Sequence, residues 1–210
     1  MKSALHENDI FRFLMVAYFG DCKDVIAAAS NRAYRDMCRT IDDIVFKKSL
    51  DTQRRKDREK VTSFIKRQIE QELPAIIIKN SQRAFDVWHK TTCQGIISSF
   101  ETCGRLHYGQ AQKWLNMTCK YLLVLRHPEI KKTLRWLHIA VDNRIIDMAQ
   151  KQFSISAPSE PWSRWRYASY IEYQKKIRKS INNNSDIHSP FIWEFVTWPI
   201  EKLPLKTVLK

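Results

Sequence analysis

The sequence predicts an all-α protein, and three observations support this fold class. Apolar side chains recur every three or four residues along most of the chain, as the buried face of a helix requires. The 210 residues include only 4 glycines and 7 prolines, too few for the many turns of an all-β sandwich. At 44% hydrophobic residues, the chain has ample material for a core. We expect roughly seven to nine helices.

The charge balance predicts an anionic partner. The chain has 36 lysines and arginines against 22 acidic residues, a net charge of +14. Such an excess repels itself, and it favours nucleic acid first and a membrane surface second. Its densest basic stretch, residues 47–67, is either a solvated helix face or a strip that faces DNA phosphates.

The cysteines and the apolar runs indicate the compartment. The 5 cysteines are an odd number without a Cys-x-x-Cys motif, which favours reduced thiols in a cytosol over a disulfide framework or a zinc site. No run approaches the roughly 18 apolar residues of a membrane span, and the N-terminus lacks an apolar signal region. We therefore expect a cytoplasmic protein that contacts no membrane and needs neither metal nor cofactor.

The N-terminal region predicts two helices. Residues 8–19 have the pattern of a short, largely buried helix that is capped by Asn8 or Asp9 and ends near Gly20. Asp21 can cap the helix that follows.

The middle of the chain contains a proline and a possible catalytic pair. Pro74 is expected to interrupt or end the basic helix, and the apolar run 74–78 can form a brief strand. Ser81 begins another helix, which carries Arg83 and His89. Because one family of helical nucleases uses an arginine and a histidine a few residues apart, an RNase or toxin is one hypothesis for the function.

The next loop and helix form a predicted helix–hairpin–helix. The loop contains Gly104 and Gly109, which allow backbone N–H groups to approach a phosphate oxygen. The second helix is predicted from Gln110 to about Arg126, with Lys113 and Lys120 on one face. A lysine in the first turn lies near the positive end of the helix dipole, so helix stability alone does not select it.

Two later segments carry further polar candidates. Asp142 follows an apolar stretch and precedes a helical pattern, as an N-cap does. The aromatic segment 190–198 predicts a last helix before Pro199, in which Glu194 and Trp198 face the same way.

These pieces together resemble a known superfamily. Gln112-Lys113, the segment 141–145, and Gln174-Lys175 followed by the helix 190–198 occur in the order found in helix–hairpin–helix DNA glycosylases. About the C-terminal half of the chain is similar to them, most closely to the archaeal 8-oxoguanine glycosylase branch. The resemblance implies two helical lobes around the hairpin with an active-site cleft between them. It also implies a monomer that binds double-stranded DNA with one base flipped out.

The chain is expected to form a single domain that divides into three parts. These are an N-terminal helical lobe over about residues 1–80, a hairpin and catalytic half over about 81–198, and a tail at 199–210.

The resemblance also assigns roles to residues. Lys113 is the implied nucleophile, with a possible β-lyase step through a Schiff base, and Asp142 is its partner. Glu194 and Trp198 are the implied contacts to the flipped base, and Trp193, Phe191 or a tryptophan of the 162–165 loop can add to the stack. The residues assigned to the DNA backbone are Gly104, Gly109, Lys120 and Arg144.

The chain departs from the superfamily pattern in three respects, and other functions stay open. Ala140 stands where the superfamily usually has proline, and Glu194 stands where aspartate is expected. The hairpin glycines, Gly104 and Gly109, are five residues apart in place of the usual tight Gly-x-Gly. Besides the RNase, the alternative to a glycosylase is a helical nucleic-acid-binding protein without catalytic activity.

Overall fold

The computed structural model describes residues 5–41, 51–100, 105–182 and 189–200, and every regular element within these ranges is helical. The predicted all-α class is confirmed. A π-helical turn at Gln68–Glu72 joins α3 to α4 without a break. The helices are α1 Glu7–Phe19, α2 Val25–Met37, α3 Asp51–Arg67, α4 Leu73–Lys79, α5 Gln82–Ser99, α6 Tyr108–Val124, α7 Pro128–Thr133, α8 Asn143–Phe153, α9 Tyr167–Asn182 and α10 Pro190–Ile200.

Pro74 neither ends the helix nor begins a strand. It lies in the first turn of α4, directly after the π-helical turn, and the helical run continues past it to Lys79. The strand alternative for residues 74–78 is therefore wrong. The helix ends instead at Asn80, which adopts a left-handed conformation with φ of 51°.

The N-terminal helix α1 lies on the surface, contrary to the prediction that it is largely buried. None of its residues is buried, and Phe13 is 72% exposed. The helix begins one residue before Asn8, and the Asp9 carboxylate accepts a hydrogen bond from the His6 N–H at 3.2 Å. Neither Asn8 nor Asp9 is the N-cap residue, because the helix follows His6.

The cap of α2 also differs from the prediction. The Asp24 carboxylate accepts a hydrogen bond from the Ala27 N–H at 3.0 Å, so Asp24 caps α2 in place of Asp21.

Helix α6 lies at the centre of the core. It is buried on nearly every side, and α2 packs along it more extensively than any other two helices pack on each other. The helix begins at Tyr108, two residues before the predicted start, because the Gln110 side chain accepts a hydrogen bond from the His107 N–H. Trp114 and Leu122 are fully buried in the continuous apolar cluster around α6.

The cysteines of the described ranges are free thiols: Cys22, Cys38, Cys93 and Cys119. Burial raises the pKa of Cys119 to about 12, so this thiol stays protonated at neutral pH. None of the helices in the described ranges has both the length and the apolar character that crossing a bilayer needs.

Candidate active site

The structure brings the two predicted catalytic residues together. The Lys113 ammonium donates a hydrogen bond to Oδ2 of Asp142, and Lys113 is only 6% exposed. Asp142 is the N-cap residue of α8, as predicted, because its Oδ1 accepts from the Ile145 N–H at 3.0 Å. The carboxylate is thus stabilised both by a lysine and by the positive end of a helix.

This pair lines a cavity of about 450 Å³. The cavity is enclosed by α1, α2, α6, α10 and the start of α8, so helices from both ends of the chain contribute to it. Apolar side chains make up much of its wall, and the polar side chains are grouped on two sides. The charged residues that line it are Arg32, Asp36, Arg39, Lys113, Lys120, Asp142 and Glu194.

A second lysine–carboxylate pair lies two helical turns further along α6. Lys120 donates to Oε1 of Glu194, whose residue is only 1% exposed. Burial lowers the pKa of Lys120, and the Glu194 carboxylate opposes that effect. The sequence prediction that Lys120 contacts the DNA backbone is not supported, because its ammonium is engaged in this buried pair.

The departures from the glycosylase pattern at positions 140 and 194 are in contact with each other. Its Oε2 accepts a hydrogen bond from the Ala140 N–H at 3.0 Å. Proline at position 140 would lack that N–H, and aspartate at position 194 would be one methylene shorter. The unexpected alanine and the unexpected glutamate therefore act as one feature. They fix the backbone two residues before Asp142.

Amide side chains hold the rest of this backbone segment. Gln112 accepts from the Val141 N–H at 3.2 Å and donates to the Val141 carbonyl at 2.9 Å. Gln174 makes the matching pair with Ile139, at 3.3 Å to its N–H and 2.9 Å to its carbonyl. Both glutamines are fully buried. The sequence interpretation assigned them no role, although a glutamine among the core residues of a helix is a signal for such a contact.

The Asn116 amide connects α6 to the backbone segment before Asp142. It donates to the Gln112 side-chain oxygen at 3.0 Å and to the Ile139 carbonyl at 2.8 Å. Since Gln112 precedes Lys113 and Val141 precedes Asp142, these hydrogen bonds hold the two candidate catalytic residues side by side.

The tryptophans of the last helix have different positions. Trp198 lines the cavity and is 44% exposed, and the Arg144 guanidinium lies 4.7 Å from the centre of its ring. Arg144 also donates to the Trp198 carbonyl at 3.0 Å. Trp193, by contrast, is buried away from the cavity, where its indole N–H donates to the Gln152 side chain at 2.7 Å.

The prediction that Trp193 contacts the base is therefore not supported. The same holds for the other suggested stacking residues, which are buried and do not line the cavity: Phe191, Trp162 and Trp165.

Gly109 has a packing role in place of the predicted phosphate contact. Its N–H donates to the Trp165 carbonyl at 3.0 Å, so this group is not available to a phosphate oxygen. A Cβ at this position would come within 1.9 Å of the Trp162 carbonyl oxygen, which only glycine avoids. Gly104 lies outside the described residues.

Arg83 and His89 do not form a joint centre. His89 is fully buried and hydrogen-bonded to Asn116 at 2.9 Å, whereas Arg83 is exposed. Burial lowers the pKa of His89 well below 6.5, so the imidazole is neutral in the core. The geometry removes the basis for an RNase that uses this pair.

Comparison with protein-family models, with curated proteins and with solved structures finds no match for this chain. The arrangement around Lys113 therefore has to be interpreted from its own geometry and chemistry.

Proposed function

We propose that the protein is a DNA glycosylase that removes a flipped, modified base with Lys113 as its nucleophile. The observation that carries the proposal is the contact between Lys113 and Asp142 in the wall of a cavity that Trp198 also lines. The glycosylase pattern selected these two residues as partners from separate parts of the sequence. A chance pair of a surface lysine and a helix cap would have no reason to meet in a cavity.

The chemistry follows from the residue types. A base inside a duplex is out of reach, so it must be flipped into a pocket at a cost of about a few kcal/mol. The free amine of Lys113 then attacks C1′ of the sugar, and the new C–N bond forms as the bond between C1′ and the base breaks. The base leaves with the electron pair and takes up a proton.

Asp142 supports this step in two ways. Its ionised carboxylate stabilises the positive charge that develops on the sugar in the transition state, and it can accept the proton that Lys113 gives up. Opening of the sugar ring gives a Schiff base between Lys113 and C1′. Loss of a proton from C2′ then allows β-elimination of the 3′ phosphate, which is the lyase step.

The surrounding helices suit a DNA substrate in this proposal. In this proposal α5 and α6 are the two helices of the hairpin, and the cavity lined by residues of α1, α2, α6, α10 and the start of α8 is the cleft that receives the base. Trp198 and Arg144, stacked on each other at the cavity, supply an aromatic face and a positive charge. The net charge of +14 favours the phosphate backbone on either side.

Borohydride trapping tests the proposal. The full chain is incubated with a panel of duplexes that each carry one modified base, and a covalent adduct of protein and DNA is expected for at least one of them. Lys113→Gln should abolish the adduct, and mass spectrometry should locate it on Lys113. Lys131→Gln, which removes an exposed lysine on α7 outside the cavity, is the matched control and should leave the yield unchanged. An adduct that persists in Lys113→Gln contradicts the proposal.

The second candidate is a nucleic-acid-binding protein without catalytic activity, and the surface of α3 favours it. Lys56, Lys60 and Arg67 are exposed and line a shallow groove between α3 and the end of α5. The predicted basic stretch before Asp51 lies outside the described residues. This candidate predicts DNA binding that weakens steeply with salt, without an adduct on any duplex of the panel.

A further inference from the structure

The cavity has a second polar wall besides the lysine–carboxylate pairs. It is built mainly from α1 and α2, the part of the chain that the glycosylase resemblance does not cover, together with Tyr121 of α6. Tyr121 of α6 donates its hydroxyl hydrogen to Oδ2 of Asp36, and the Tyr18 hydroxyl lies 3.1 Å from the Tyr121 hydroxyl. The Arg32 guanidinium lies 3.6 Å from Oδ1 of Asp36 and 4.1 Å from the centre of the Tyr18 ring.

Glu194, the residue that the resemblance assigns to base recognition, already has partners for both of its carboxylate oxygens. Glu194 gives one carboxylate oxygen to Lys120 and the other to the Ala140 N–H, and it is almost fully buried. A base in the cavity would have to displace a buried ion pair to reach it, which carries a large desolvation cost.

The wall that contains Arg32 and Asp36, in contrast, has unused hydrogen-bonding capacity. The side chains of Arg32 and Asp36 are each about one-quarter exposed, at 26% and 23%. Within the described part of the chain, Nε of Arg32 is buried and has no hydrogen-bond partner, which is costly unless a ligand supplies one. Asp36 keeps acceptor capacity after its bond from Tyr121, because a carboxylate accepts about four hydrogen bonds.

We propose that Asp36 and Arg32 read the edge of the flipped base, and that this base has a ring N–H beside a carbonyl oxygen. The inference rests on the proposed function and deepens it. The Asp36 carboxylate accepts from the ring N–H, and the exposed part of the Arg32 guanidinium donates to the carbonyl oxygen. Hypoxanthine and guanine present this pair of groups, whereas adenine presents a ring nitrogen acceptor beside an amino group.

Tyr121 keeps the carboxylate in place for this contact. Burial raises the pKa of Tyr121, and its hydrogen bond to Asp36 adds to that effect, so the phenol stays protonated and donates. A ring nitrogen without a hydrogen, as in adenine, would face the carboxylate lone pairs, and this repulsion sets the discrimination.

Inosine and adenosine provide a matched pair of probes, since they differ only at this edge. Binding of each nucleoside to the full chain is measured by NMR titration. We expect inosine to bind about tenfold more tightly than adenosine, the effect of roughly one satisfied hydrogen bond. Asp36→Asn should reduce the ratio to about twofold or less, because the amide offers one acceptor oxygen and a competing N–H₂ donor. Arg32→Gln should weaken the binding of inosine more than the binding of adenosine.

Two further variants separate this inference from the proposed function. Lys113→Gln should abolish adduct formation and keep the preference for inosine. If the wild type forms no adduct but prefers inosine, and Asp36→Asn removes that preference, the proposed function fails and this inference stands. Lys131→Gln, outside the cavity, should also keep the preference. Equal binding of the two nucleosides, no binding of either up to about 10 mM, or a preference that survives in folded Asp36→Asn would overturn the inference. Circular dichroism checks the fold of each variant.

Discussion

The two lysine–carboxylate pairs of α6 are alike in composition and different in environment. In each pair one carboxylate oxygen accepts from a lysine and the other accepts from a backbone N–H. Asp142, however, has a side chain that is 25% exposed and caps the N-terminus of α8. Glu194 lies within α10 and its side chain is 1% exposed.

This difference determines how far each carboxylate depends on its lysine. The helix N-terminus and the nearby solvent stabilise the Asp142 carboxylate independently of Lys113. Glu194 has no such helix end, so its charge depends on Lys120 and on one N–H. In the proposed function Lys113 is the reacting lysine, whereas Lys120 holds the Ala140 backbone through Glu194. Two identical residue types on one helix face thus serve different roles.

The largest expected effect is on folding stability. Lys120→Met leaves the Glu194 carboxylate buried without a counter-charge, and we expect it to lower the free energy of unfolding by about 3–5 kcal/mol. Lys113→Met leaves a capping aspartate near solvent, and we expect a loss of about 1 kcal/mol or less. Urea unfolding of the two variants measures both values.

The double variant Lys120→Met/Glu194→Met is the control for this comparison. It replaces the whole buried pair by apolar side chains, and it should recover most of the stability that Lys120→Met loses. Equal losses for the two single lysine variants would break the comparison between the pairs.

The resemblance to the glycosylases predicted one pair and not the other. Lys113 and Asp142 each stand next to a helix start, and a helix start has recognisable chemistry within a few residues. The partner of Lys120 is set by tertiary packing of α10 on α6, which no local pattern encodes. The spacing placed Lys120 on the correct face of the helix, but the sequence gives no sign that this face is closed by Glu194.

The lack of tertiary information in a local pattern also explains why α1 was predicted to be buried. Its apolar residues have helical spacing, and the helix forms as expected. Spacing shows that a face is apolar, but it does not show whether another helix covers that face. Gly109 is a similar case. The glycine at this position stands out in the sequence, whereas the Trp162 carbonyl oxygen that would clash with any Cβ there lies in a distant turn.

The pH dependence of stability offers a second, smaller test of the comparison. Because burial lowers the pKa of Lys120 below 10.5, the unfolded chain holds this proton to a higher pH than the folded protein does. The contribution of Lys120 to the free energy of unfolding therefore increases as the pH rises from its pKa in the folded protein towards 10.5, by up to about 1.4 kcal/mol per pH unit. Urea unfolding of the wild type and of Lys120→Met/Glu194→Met at several alkaline pH values isolates the contribution. An identical slope for the two proteins would show that Lys120 titrates as an exposed lysine does.

The smallest expected effect tests whether Asp142 is stabilised without Lys113. In the background of Lys113→Met, Asp142→Asn should change stability little, because asparagine caps a helix as well as aspartate does. Asp142→Ala in the same background removes the acceptor for the Ile145 N–H and should cost about 1 kcal/mol. If both substitutions cost nothing, the cap does not hold the carboxylate, and Asp142 depends on its lysine as Glu194 does. A cost for alanine alone supports the view that the carboxylate of the proposed reactive pair is the one that the fold stabilises independently.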